Sequence, residues 1–169
     1  MLIALDAFNA RSPSDAEEEL LACCASRAFA GKVAALRPYQ DLGELAAAAG
    51  AAVRELGWAE VLEALAAHPR IGERAGGDGR DAAWSRQEQS GLESEPADEL
   101  REALAAGNRA YEERFGHVYL ICATGLTGAQ MLARLRERLR NDEATERGVV
   151  RDELAAITRL RIAKWMEES

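Results

Sequence analysis

Only one stretch of this chain, His117-Val118-Tyr119-Leu120-Ile121-Cys122-Ala123, reads as a β-strand, and an isolated strand has nothing to pair with. Elsewhere the residues favour helix. Alanine occurs 35 times and leucine 20 times among 169 residues, only four prolines interrupt the chain, and β-branched residues are scarce. An all-α fold is therefore expected, and the length fits a single domain over residues 1–169. The balance of 21 basic against 29 acidic residues gives a net charge of −8, which argues against a nucleic-acid partner because phosphates would be repelled. No apolar run approaches the roughly 18 residues of a membrane span, so no membrane partner is expected. The segment MLIALDAFNARS lacks the basic flank and long apolar stretch of a leader, so the mature chain is expected to begin near Met1 and stay in the cytosol. Nineteen of the 21 basic residues are arginine, a bias that with the alanine content points to a GC-rich bacterial genome. Cys23, Cys24 and Cys122 are odd in number and lack CxxC spacing; reduced thiols packing as small apolar groups are expected, the adjacent pair facing different sides of a helix.

Ser14-Asp15-Ala16-Glu17 has the form of a capping box and predicts a helix through about Ser26. A short helix over Arg27 to Leu36 stops before Pro38, and Asp41 with Glu44 opens another to about Leu56. Trp58, Val61, Leu62 and Leu65 fall at helical spacing as a buried stripe, which His68-Pro69 terminates because proline disfavours helical backbone in the residue before it. Arg70 to Asp81 holds four glycines and predicts a mobile loop. A short helix around Ala82 to Ser90 follows, then a longer one from Pro96 to Phe115, where Gly116 breaks it. Thr127 with Gln130 caps a helix to about Leu139, and the last runs from Glu143 to about Glu167. The sum is a bundle of seven or eight helices.

Chemistry has few places to sit. His68 stands between a buried helix and a glycine-rich loop, where it either caps the last carbonyls or does chemistry. His117 opens the β-like run and reads as a packing or surface residue. Two histidines, three unclustered cysteines and no H-E-x-x-H spacing make a metal site unexpected. The glycines from 72 to 79 follow no strand and lack the GK[ST] ending of a phosphate loop. On a helix, Ser85, Glu88 and Gln89 share one face, which is either an ordinary solvated surface or a hydroxyl, a carboxylate and an amide gathered for use. Counting about 100° per residue from Val150 puts Leu154, Ile157 and Trp165 at about 40°, 340° and 60°. On the same count Arg161 falls at about 20°, inside that apolar stripe, and Arg159 at about 180°, facing water. A guanidinium aimed at a core needs an anionic or polar partner, either an internal carboxylate or a ligand.

Read in series, AAHPRIG at 66–72, SRQEQSG at 85–91, N-x-x-Y-x-x-RFGHVYLIC from Asn108 to Cys122 and I-x-x-L-R from Ile157 to Arg161 resemble one family. It is the family of the 2-oxo-4-hydroxy-4-carboxy-5-ureidoimidazoline (OHCU) decarboxylases, and the likeness extends over nearly the whole chain, with Arg37-Pro38-Tyr39 and the CCAS at 23–26 fitting as well. The resemblance implies an all-α fold, no cofactor and a homodimer. It implies the last step of urate breakdown, decarboxylation of a small ureidoimidazoline to (S)-allantoin. Carried over residue by residue, it assigns acid–base work to His68 and Glu88. It assigns substrate binding to Pro69, Ser85, Gln89 and Arg161, with backbone amides of Val118, Tyr119, Leu120 and Ile121 as further donors. Two departures stand out. His117 follows RFG where an aromatic residue is expected, and the chain ends in Glu-Glu-Ser rather than a peroxisomal tripeptide, which favours a bacterial cytosol. Two other readings stay open: a non-catalytic helical scaffold, and a decarboxylase of the same fold acting on another ureido or purine-derived acid.

Overall fold

Local capping chemistry sets most helix starts in the computed structural model, which describes residues 2–73, 79–92 and 98–168. Among these residues there are nine α-helices, one 3₁₀ turn at Ser90–Leu92 and no strand. The expected all-α class is what the chain adopts; the ninth helix is α1, Leu2–Ala10, which no local signal announced. Helix α2 is Pro13–Leu21. Its cap is Ser12 rather than Ser14, because Pro13 fits the first helical position where no amide is needed and the Ser12 hydroxyl then accepts from the Asp15 amide. It ends at Leu21 instead of Ser26, since Ser26 caps the next helix, α3 (Arg27–Ala35), accepting from the Phe29 amide. Cys23 and Cys24 consequently lie in the turn after α2, both buried.

The described residues group into two compact units. The first takes in residues up to Ala64 and from Arg151 onward. It contains α1 to α3, α4 (Leu42–Arg54) and most of α5 (Trp58–Leu65), together with the larger part of α9 (Glu143–Glu168). Asp41 caps α4 through the Glu44 amide, as its spacing predicts. On α5 the buried residues are Val61, Ala64 and Leu65; Leu62, about 100° round the helix from Val61, falls beyond the edge of that face and is exposed. Arg37-Pro38-Tyr39 holds α1 in place. The Arg37 guanidinium donates to the carbonyls of Phe8 (2.7 Å) and Arg11 (2.9 Å), and Tyr39 exchanges two hydrogen bonds with the Asn9 carboxamide (2.8 and 2.9 Å). Phe8 meets Trp165 edge-on at 5.2 Å.

The second unit runs from Leu65 to Val150 and holds α6 (Arg80–Glu88), α7 (Asp98–Phe115), α8 (Gly128–Arg138) and the first turns of α9. Its core gathers Ile71, Leu104, Tyr111, Tyr119, Ile121, Met131 and Leu135. Thr127 and Gln130 close a complete capping box at α8. Gly116, at φ +80°, stops α7 with a backbone conformation that side chains disfavour. Positions 74–78 of the expected loop and Pro96 lie outside the described residues.

Candidate active site

His68 sits just past α5, its amide closing a turn onto the Leu65 carbonyl (3.0 Å), with Pro69 fixing the following φ. Both residues are half-buried. From Arg70 to Gly72 the chain is neither helix nor strand, so its polar backbone groups need other partners. Side chains supply them. Asn108 of α7 donates to the Ile71 carbonyl (2.8 Å), and Gln89 accepts from the Gly72 amide (3.0 Å) and donates to the Arg70 carbonyl (3.4 Å). Arg70 forks onto Glu112 of α7 at 2.8 and 2.9 Å, and that pairing pushes the guanidinium further above its ordinary range.

Helix α6 is anchored by Trp84, 1% exposed, with the Arg80 guanidinium 5.4 Å from its ring centroid. One turn of this helix presents Ser85 and Glu88, 4% and 8% exposed, so the solvated-face alternative is set aside. His68, Pro69 and Ser85, with Asp81 and Ala82, line one cavity of about 260 Å³. Glu88 is one turn further along the face that carries Ser85 and is not among the described residues lining that cavity. Gln89, at the helix C-terminus, turns its carboxamide to the 70–72 segment. A larger cavity of about 470 Å³ is lined by that segment and Glu73 together with Arg101, Arg109 and Glu113 of α7.

The β-like run is an extended connection with no paired strand among the described residues. Tyr119, Leu120 and Ile121 are buried and Val118 is half-buried. The Leu120 carbonyl accepts from Arg138 (2.6 Å), and the Tyr119 hydroxyl donates to the Met131 carbonyl (3.1 Å). Arg138 itself is clasped by Glu146 at 2.8 and 2.5 Å, and Glu146 also accepts from the Tyr111 hydroxyl and from Asn141 (3.1 Å). Burial works against the charge on Arg138, but the bonds to Glu146 outweigh it and hold the guanidinium above its ordinary range. Burial, then the Glu146 bond, push the Tyr111 hydroxyl upward as well. His117 packs edge-on to Tyr111 at 5.4 Å, as the packing reading expects.

Arg161 belongs to the first unit. It is 4% exposed among Leu154, Ile157 and Trp165 and donates to the Ala22 carbonyl (3.2 Å), whereas Arg159 is exposed, as the angular count predicts. In the same unit, burial pushes the Cys24 thiol up to about 12, partly offset by its bond to Thr158. Among the described residues, no group of three or more His, Cys, Asp or Glu side chains is placed to hold a metal ion, and no helix is long and apolar enough to cross a membrane. Sequence reasoning missed Glu112, Arg138 and Glu146 and gave Asn108 no role. The only available signal was spacing, since Asn108, Tyr111 and Glu112 share a face of α7 at i, i+3 and i+4.

Comparison with known proteins covers most of the chain. The family model for OHCU decarboxylase matches residues 9–163. The uric acid degradation bifunctional protein TTL of Arabidopsis thaliana is 32% identical over 154 residues, 90% of this chain, which itself spans about half (48%) of that protein. A 2-oxo-4-hydroxy-4-carboxy-5-ureidoimidazoline decarboxylase of Haloferax volcanii is 30% identical over 128 residues, covering 76% of this chain and 74% of its own. The enzyme of that name from Amia calva is 33% identical over 75% and 73%. A crystal structure of OHCU decarboxylase in the presence of (S)-allantoin superposes with a TM-score of 0.76 at 30% identity, covering 89% of this chain and 98% of that one. A structure of (S)-allantoin synthase, 18% identical over 95% of this chain and 53% of its own, shares the fold with a TM-score of 0.69.

Proposed function

The chain belongs to the OHCU decarboxylase family, and we propose that, as a carboxy-lyase of urate degradation, it converts 2-oxo-4-hydroxy-4-carboxy-5-ureidoimidazoline to (S)-allantoin and carbon dioxide. The observation that carries this reading is a cavity lined jointly by His68, Pro69 and Ser85, with Glu88 buried one turn along α6. Residues 1–169 are read as one domain of this family.

The substrate supplies its own electron sink. As the bond from ring carbon 4 to the carboxylate breaks, its electron pair becomes the second bond between carbons 4 and 5, and the C=N pair at carbon 5 withdraws onto nitrogen, which takes up one proton from solvent as carbon dioxide leaves. The 4-hydroxyl then gives up a proton as it becomes the allantoin carbonyl, and carbon 5 gains one from a single face. No cofactor is needed to hold the electrons. His68 is assigned to the 4-hydroxyl and its neighbouring carboxylate, and Glu88 to proton delivery at carbon 5. Pro69 fixes the backbone beside the imidazole, and Ser85 hydrogen-bonds the substrate. Amides of Val118, Tyr119, Leu120 and Ile121 offer further donors. A homodimer in a bacterial cytosol completes the reading, in keeping with the family likeness and the arginine-rich, lysine-poor composition.

Circular dichroism on freshly generated urate-oxidation product tests this. Rapid appearance of optically active allantoin is expected, with no change on adding chelators. Racemic allantoin at the spontaneous rate would sink the assignment.

A further inference from the structure

We propose that Gln89 and Asn108 are positioning residues: two carboxamide tethers that fix the His68-bearing segment, Gln89 to the end of α6 that carries Glu88 and Asn108 to α7. This rests on the reading of His68 and Glu88 as the acid–base pair.

Pro69 leaves little freedom at its own φ, so the backbone that can swing the His68-Pro69 unit is the next stretch, Arg70 to Gly72. Gly72 sits at φ +96°, a conformation that glycine takes without side-chain cost. The Ile71 carbonyl and the Gly72 amide are held by side chains, Asn108 and Gln89 respectively. The Arg70 carbonyl takes the Glu73 amide (3.0 Å) and the Gln89 carboxamide. Gln89 therefore spends both ends of its carboxamide on this one segment, and it is the residue that directly follows Glu88. Any drift of the 70–72 backbone relative to α6 must stretch these bonds. The sequence likeness gives Gln89 a direct contact with substrate; its hydrogen bonds give it work that precedes substrate binding.

Asn108 closes the other side. It is 4% exposed, its nitrogen donates to the Ile71 carbonyl at 2.8 Å, and its Oδ1 is buried with no hydrogen-bond partner among the described residues. Burying an unpartnered amide oxygen is unfavourable, so an apolar residue would pack there at lower cost. Keeping the carboxamide makes sense when its donor is needed for Ile71. A displacement of about 1 Å at a reacting group costs on the order of 10²-fold in rate, which makes such tethers worth their desolvation.

The chain has two histidines, so its imidazole Hε1 protons give two resonances that can be followed in the full-length, substrate-free protein. In Gln89→Met and in Asn108→Ala the His68 resonance is expected to broaden, split or shift its titration, while that of His117 stays as in the parent. In turnover assays kcat is expected to fall roughly tenfold or more, with KM within about twofold, short of the ~10²-fold penalty of a full 1 Å displacement. Parental His68 signals in both variants would overturn the proposal. So would a raised KM with parental kcat in Gln89→Met, the mark of a direct substrate contact. Should Asn108→Ala fail to fold, Gln89→Met, at a half-buried position, decides alone. The resonance measurement needs no substrate, so an inactive chain would refute the assigned reaction and leave the tethers to be judged separately.

Discussion

Two stretches of the second unit lie outside its helices and need partners for their backbone, and they obtain them by different means. Arg70 to Gly72 is held by neutral carboxamides, Asn108 and Gln89, with an exposed Arg70–Glu112 pair beside them. Val118 to Ala123 is held through Leu120 by Arg138, whose charge is balanced by a fully buried Glu146 that also takes the Tyr111 hydroxyl. The first arrangement lies next to the candidate acid–base pair and adds no buried charge. The second sits in the core and stakes stability on one ion pair. The Gln89 tether can be cut with modest loss because water can replace it at a half-buried position, and cutting either carboxamide strands no charge. A buried charge cannot lose its partner without stranding the other. The former arrangement is thus expected to control activity, and the latter folding.

The strongest way to break this contrast is at the buried pair. Arg138→Ala orphans Glu146 and frees the Leu120 carbonyl, and should lower stability by about 3–5 kcal/mol in chemical denaturation. Replacing both partners, Arg138→Met with Glu146→Leu, should recover part of that loss and not all of it, because Leu120 still lacks its donor. A single variant as stable as the parent would contradict the division. Next in size come His68→Asn and Glu88→Gln, each expected to reduce decarboxylation by roughly 10² or more, about 2.7 kcal/mol in barrier, with little change in melting temperature. Stability losses as large as those at Arg138 would move these residues from chemistry to framework. The smallest effect is expected at the exposed pair. Glu112→Gln removes the carboxylate that Arg70 forks onto, yet thermal melts should match the parent because solvent screens both groups. A clear drop in melting temperature there would show that charge pairs support both segments alike.

Legibility in the sequence follows how far apart the interacting residues are. Asp41 with Glu44 and Thr127 with Gln130 were readable because a cap and its partner amide are three residues apart. The inward setting of Arg161 was readable because α9 is one continuous helix whose 3.6-residue period needs no tertiary information. The Ser14 cap was misplaced by two residues because two serines compete there, and Pro13 between them decides in favour of Ser12. Helix α1 was not readable: what holds it, Arg37 on Phe8 and Asn9 on Tyr39, comes from about 30 residues away. Leu62 shows the same limit from the other side, since helical spacing names a face and cannot say where the face ends.

What the sequence by itself determined is the all-α class, most helix limits and the residue types offered for chemistry, His68 and Glu88 among them. These follow from propensity, caps and periodicity, which act within a turn or two. What only the tertiary structure decided is how the non-helical backbone is held. Asn108 reaches Ile71 across 37 positions, Gln89 reaches Gly72 across 17, and Arg138 reaches Leu120 across 18. Each bond exists because a backbone group buried without a partner is costly and the fold brings a side chain to meet it. A helix satisfies its own amides and carbonyls, so its sequence announces it; an extended segment in a helical protein depends on distant side chains, and no local pattern records which ones will arrive.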